Sequence, residues 1–239
     1  MNFSNPSGCF EVSLDCYHNY TKGLYCAINT NIYTYLREMI LTIRLEPGEK
    51  LAESVIAEKL NVSRSPVKQA LQQLVDDGLA IHQSSKTIVV APIGYNDCLD
   101  LMNARKGIEC QGAYESAKYI TDEELRTLKS LLLQLKTPDN YSMEEYARIH
   151  ASFHMTIMKS CRNRYLLDAY TRIHSFLFRY HLYIFKRMSL DDFHEYEHHL
   201  PIYHAMKCHC PSQARDESQA EIEEMLLSVP FLSFPPKNQ

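Results

Sequence analysis

No apolar run in the 239 residues approaches the roughly 18 to 20 that a membrane-spanning helix requires. Residues 1 to 30 also lack the basic start and apolar stretch of a secretory signal. These two absences lead to the expectation of a cytoplasmic protein without a membrane segment. Excess positive charge is missing as well: 25 Lys and Arg stand against 29 Asp and Glu, a net charge of −4. A broadly basic nucleic-acid coat is thereby excluded, so any DNA contact must come from a local patch. No Gly-rich phosphate loop and no Gly-x-Ser-x-Gly nucleophile turn is present. Cysteine is plentiful at eight residues, but Cys9, Cys16, Cys26, Cys98, Cys110, Cys161, Cys208 and Cys210 are scattered without a disulfide framework. Reduced thiols are the expectation.

A hydrophobic content of 45% suffices for a full core, and the length suits a small domain joined to a medium one. Residues 1–27 show no sustained period and read as a poorly ordered arm. From Asn29, the spacing of Ile32, Leu36, Met39, Ile40 and Ile43 predicts a helix that ends at the turn Leu45-Glu-Pro-Gly-Glu49. A second helix is expected from Glu53 to Leu60. A third begins after Ser63 as N-cap, with Pro66 in its first turn and Asp77-Gly78 at its end. Leu79 to Ile81 and Thr87 to Val90 read as two strands around the loop His82 to Lys86. Beyond Tyr95, helices are predicted over about 96–118, 122–135, 142–160, 163–187, 196–209 and 212–228. The expected fold is mainly α: a winged helix-turn-helix over 28–92, an antiparallel all-helical bundle over 96–229, and a loose tail over 230–239.

Three helices followed by a two-strand wing is the arrangement that places the third helix in a DNA major groove. Ser63, Arg64, Ser65 and Lys68 cluster at the start of that helix, and no acid intrudes before Asp76. The same residues also suit an ordinary solvated helix face. The run Leu45-Glu-Pro-Gly-Glu-Lys-Leu51, the pair Ile56-Ala57, and Asn61-Val-Ser-Arg-Ser-Pro-Val-Lys68 with Ala70-Leu71 and Gly78-Leu79 resemble the GntR family of bacterial regulators. That resemblance assigns DNA contacts to Ser63, Arg64, Ser65 and Lys68; Lys86 on the wing, which stands where the family usually has Gly, is a further candidate contact. One charge-balanced winged unit offers too few phosphate contacts, so a homodimer on a short pseudo-palindromic operator in double-stranded DNA is expected. Lys68 stands where the family has Arg, which favours a phosphate over a bidentate base contact there.

In the helical half, His150 and His154 lie four apart, so both rings leave one helix face. Two stacked rings and two ligands of one ion share that spacing. Phe153-His154, Ser160-Cys-Arg-Asn163 and Leu166, with Asp100, Arg105 and Glu109, are similar to the C-terminal ligand-binding domain of the FadR branch of the family. Many members of that branch hold a divalent metal through one Asp and three His. The resemblance places His150, His154, His199 and Glu221 at those positions, with His150 in place of the Asp and Glu221 in place of the last His. Three imidazoles and one carboxylate suit Zn, Ni, Mn or Fe. The same resemblance makes Arg105 and Asn163 effector-binding residues, with a small organic acid as the ligand. Arg105 is equally spaced for a salt bridge to Glu109.

A rival reading rests on His194-Glu195-Tyr196-Glu197-His198, a formal zinc-hydrolase motif in which Glu195 would activate water between the zinc ligands His194 and His198. Glu197 inside the motif and Pro201 just after it argue against a buried catalytic helix. Cys208-His-Cys210 is too tightly spaced for two ligands facing from one helix and reads as incidental.

Overall fold

The computed structural model of the chain describes residues 25–189 and 193–228. The expected arm over 1–24 and tail over 230–239 lie outside the described residues. Residues 25–27, assigned to the arm from sequence, begin helix α1 (Tyr25–Leu41). Helices α2 (Glu53–Lys59) and α3 (Arg64–Asp76) follow, and then the strands β1 (Ala80–Ser84) and β2 (Thr87–Val90). The strands pair antiparallel, Ala80 opposite Val90 and Ser84 opposite Thr87. The expected five-residue wing loop is therefore corrected: β1 continues through Ser84, and the turn is Ser85-Lys86 alone.

The helical half comprises α4 (Tyr95–Tyr119), α5 (Asp122–Leu135), a single 3-10 turn at Pro138–Asn140, α6 (Met143–Ser160), α7 (Arg164–Phe185), α8 (Glu195–Lys207) and α9 (Pro211–Ser228). α4 packs along α9 and against α6 and α7, while α5 packs on α6 and α8. Reciprocal capping boxes start α5 (Thr121 with Glu124) and α6 (Ser142 with Glu145), each pairing two N–H groups at the helix start.

One closure recurs at four helix ends. After α1, α2, α3 and α8 the residues Ile43, Asn61, Gly78 and His209 take positive φ. In each case the next N–H reaches back into the helix: Arg44 to Met39, Val62 to Ala57, Leu79 to Leu74 and Cys210 to Ala205. Gly78 and Asn61 adopt this conformation readily. Ile43 does not, and its burial in the core holds it there, so α1 stops two residues before the apolar period does.

α7 brackets the two halves. Arg179 Nη2 donates to the Ala91 carbonyl at 2.6 Å, Tyr180 to Gly94 at 3.1 Å and Lys186 to Thr42 at 3.1 Å. One cluster of buried side chains runs from Ile32, Leu36 and Leu71 into Leu177, Leu182 and Phe185.

Candidate functional site

Two constellations stand out, one on the winged unit and one inside the helical bundle. On the winged unit, Ser63, Arg64, Ser65 and Lys68 are all exposed at the start of α3. Ser63 occupies the N-cap position but makes no side-chain cap bond, contrary to its expected capping role. A groove between α3 and the wing is lined by Arg64, Lys68 and Lys86 together with Lys50, Gln72 and His82. Arg64, Lys68 and Gln72 follow at four-residue steps and share a helix face, so Gln72 was legible in the spacing. Lys50 was not, because it reaches the groove through a bridge to Val89 that only the fold creates.

Inside the bundle, His150 and His154 from α6, His199 from α8 and Glu221 from α9 are all buried. Each offers a ligand atom, and these atoms lie within 4.8 Å of one another. The positions come from three helices, which explains why spacing alone identifies only the pair on α6. The neighbouring groups fix the rings. His199 Nδ1 faces the Glu195 carbonyl and His154 Nδ1 faces Glu109 Oε2 at 3.0 Å. The Glu195 carbonyl requires the proton on His199 Nδ1, which turns the His199 Nε2 lone pair toward His154 Nε2 at 2.8 Å, while Arg105 Nη2 lies 3.3 Å from His154 Nδ1 and 3.1 Å from its Nε2. Pinning the far nitrogen on a carbonyl or carboxylate is how metal-binding imidazoles are oriented.

Charge points the same way. Arg105 is fully buried and meets Glu109 Oε1 at 2.8 Å, Glu221 Oε2 at 2.9 Å and His154 Nε2 at 3.1 Å. Glu195 reaches His150 Nε2 at 3.1 Å. With neutral imidazoles, the one guanidinium of Arg105 stands among the carboxyl groups of Glu109, Glu221 and Glu195, so negative charge is in excess in a desolvated space. Burial, aided by Glu109, pushes the Glu221 carboxyl up to about 7 despite Arg105. Burial holds His150 down to about 3, and it lowers His154, His181 and His199 as well. The donor set and the charge excess therefore fit a divalent cation.

A small cavity adjoins the cluster, lined by Arg105, His150, His154, Tyr170, His174 and His181 among others. Sequence reasoning missed Tyr170, His174 and His181, since they arrive on α7 with no motif of their own. It also missed Glu195 as a partner of His150. The two expected effector residues part company. Arg105 lines the cavity, although it already carries the expected i, i+4 bridge to Glu109. Asn163 is not brought there: its Oδ1 accepts from Tyr165 N and Leu166 N, so it caps α7.

The hydrolase motif does not assemble. His194 is exposed at the start of α8, and His198 turns to Glu224 at 3.3 Å, while Glu195 points the other way into the cluster. The thiol expectation is corrected at one place, where Cys208 and Cys210 are disulfide-bonded on the turn between α8 and α9. Cys98, Cys110 and Cys161 are free and buried.

Residues 28–90 match the family described as bacterial regulatory proteins, gntR family, and residues 100–224 match the FCD domain. The chain is 26% identical to the Nta operon transcriptional regulator of Aminobacter aminovorans over 129 residues, 54% of this chain and 61% of that protein. It is 26% identical to the transcriptional repressor GlaR of Escherichia coli over 163 residues, 66% of this chain and 74% of the repressor. The E. coli repressor RspR is likewise 26% identical, over 69% of this chain and 80% of its own length. Among solved structures, E. coli McbR/YncC superposes with a TM-score of 0.71 at 17% identity, covering 86% of this chain and 98% of that one. These relatives are regulators and not hydrolases, which agrees with the dispersed motif on α8. The matched regions together span both the winged unit and the helical bundle, and the chain belongs to the GntR family of bacterial regulatory proteins, with an FCD domain after its DNA-binding unit.

Proposed function

We propose that the chain is a cytoplasmic, homodimeric transcriptional regulator whose FCD domain holds a divalent metal at His150, His154, His199 and Glu221 and responds to a small organic acid. The observation that carries this reading is the buried convergence of His150, His154, His199 and Glu221, whose ligand atoms lie within 4.8 Å of one another. A cation bound there supplies Lewis acidity for a ligand oxygen. The chain's own residues orient the imidazoles through Glu109 and the Glu195 carbonyl, and Arg105 anchors the acid. Its Nη1 meets only the weak acceptor Met225 Sδ at 3.7 Å, so it retains donor capacity toward a carboxylate.

DNA contact falls to Ser63, Arg64, Ser65, Lys68 and Lys86, with Lys50 and Gln72 added from the groove. A winged unit of balanced charge has few phosphate contacts, so two copies on a short pseudo-palindromic site are required for specific binding. The test is elemental analysis of the purified protein, followed by a thermal-shift screen of organic acids with and without metal. About one bound ion per chain and a metal-dependent melting shift are expected. Protein that neither carries nor takes up zinc, nickel, manganese or iron overturns the metal centre.

A further inference from the structure

Arg179, on α7, is only 2% exposed and forms no ion pair among the described residues. Its Nη2 donates to the Ala91 carbonyl, while its Nε is buried without any partner. Burial pushes this guanidinium down to about 10. Arg105, equally buried, is held between two carboxylates; Arg179 has none, and a buried charge left unpaired is strongly unfavourable.

Arg179 also lines a cleft of about 690 Å3 where the two halves of the chain meet. Ile81 and Val89 of the wing form one wall, and Leu101 of α4 with Phe176 and Tyr180 of α7 form the other. The volume lies within the roughly 300–1,000 Å3 of small-molecule sites, which favour domain interfaces and apolar walls with few polar groups. Asp97, the acid lining the cleft, is exposed and makes no ion pair with Arg179. The Tyr180 hydroxyl is already used on Gly94, so Arg179 is the charged group with spare donor capacity toward an anion, beside the amide of Gln83 on the wing.

We propose that this cleft is a second ligand site, separate from the metal cluster, that binds an organic monoanion with an apolar body, its carboxylate seated on Arg179. The walls come from both halves, so an occupant favours one placement of the wing against α7. Its binding is thereby coupled to DNA affinity.

The test is calorimetric titration of benzoate, an apolar-bodied carboxylate, into the full chain, with inorganic phosphate as a second probe. Arg179→Met should weaken benzoate binding at least tenfold, Arg179→Lys should weaken it less, and Leu101→Trp, which fills the cleft, should abolish it. His154→Ala should leave it unchanged, which separates this site from the metal centre and from the reading built on that centre. DNA affinity measured with benzoate should differ from that without it in the parent and not in Leu101→Trp. Arg179→Lys and Leu101→Trp decide the matter if Arg179→Met fails to fold. Absence of binding to the parent, binding unaffected by Arg179→Lys and Leu101→Trp, or loss on His154→Ala overturns the proposal. So does Arg179-dependent binding of phosphate without benzoate, because the apolar body would then contribute nothing.

Discussion

His154 on α6 and His199 on α8 bring their Nε2 atoms within 2.8 Å of each other, with the Glu195 carbonyl behind the His199 ring and the Glu109 carboxylate behind His154. This geometry separates a metal ligand from a neighbour in the same sequence stretch. His199→Asn should reduce metal affinity at least about tenfold, the lower end of what even outer-shell changes produce. His194→Asn should leave metal content at the parental level, because His194 lies exposed outside the cluster. Elemental analysis of the three proteins checks this, and equal metal in all of them removes the cluster as the binding site.

Arg64 stands exposed in the first turn of α3, where side chains of a recognition helix meet base edges. Arg64→Ala should abolish specific gel retardation, with a loss of about 1–3 kcal/mol per half-site if the guanidinium reads a base. Lys86→Ala should weaken binding evenly across sequences and flatten its salt dependence, as expected of a phosphate contact. Retardation by Arg64→Ala equal to the parent's would show that α3 does not read the operator.

Where α4 crosses α6, Gly112 has no room for a side chain: a Cβ there would run into Sδ and Cε of the fully buried Met158. Overpacking of this kind destabilises by about 1–3 kcal/mol, against a gain of up to about 1 kcal/mol from replacing a helical glycine. Gly112→Ala should therefore lower the denaturation midpoint in the parent. In a Met158→Ala background the obstacle is gone, and the same substitution should raise the midpoint. A fall in both backgrounds would refute the steric account.

The fold was legible because its signals are local. Helical spacing, Ser142 three residues before Glu145, and Asp77-Gly78 after α3 each specify structure within one turn of chain. The cluster was half legible. His150 and His154 announce themselves on one helix, whereas His199 and Glu221 were named through a family resemblance, their meeting being a property of how α8 and α9 pack. Asn163 shows the converse, a residue read as binding an effector whose side chain caps α7. Glu195 was noticed for the wrong reason: it sits in a hydrolase-like motif, yet its carboxylate serves His150.

Acid and base should act on the metal-free protein with opposite signs. His150, held down to about 3 by burial against an ordinary 6.5, binds fewer protons in the folded than in the unfolded chain. His154, His181 and His199 are lowered for the same first reason. The contribution of all four is intact above about 6.5 and declines as the pH falls below that, for His150 down to about 3. Glu221, raised to about 7 from 4.5, behaves oppositely: its contribution is complete below about 4.5 and is lost as the pH rises through about 7. Chelator-treated protein should thus melt highest in the window near pH 6 to 7. Glu221→Gln should remove the alkaline decline while leaving the acid one. The imidazoles are already neutral above pH 6, so a divalent cation competes with a proton only at Glu221, and the melting-temperature gain from added zinc should grow from about pH 6 and level off above about 7. Melting curves of the parent and Glu221→Gln across that range, with and without zinc, provide the check. A zinc effect independent of pH, or equal in the two proteins, would mean that zinc binds somewhere other than among His150, His154, His199 and Glu221.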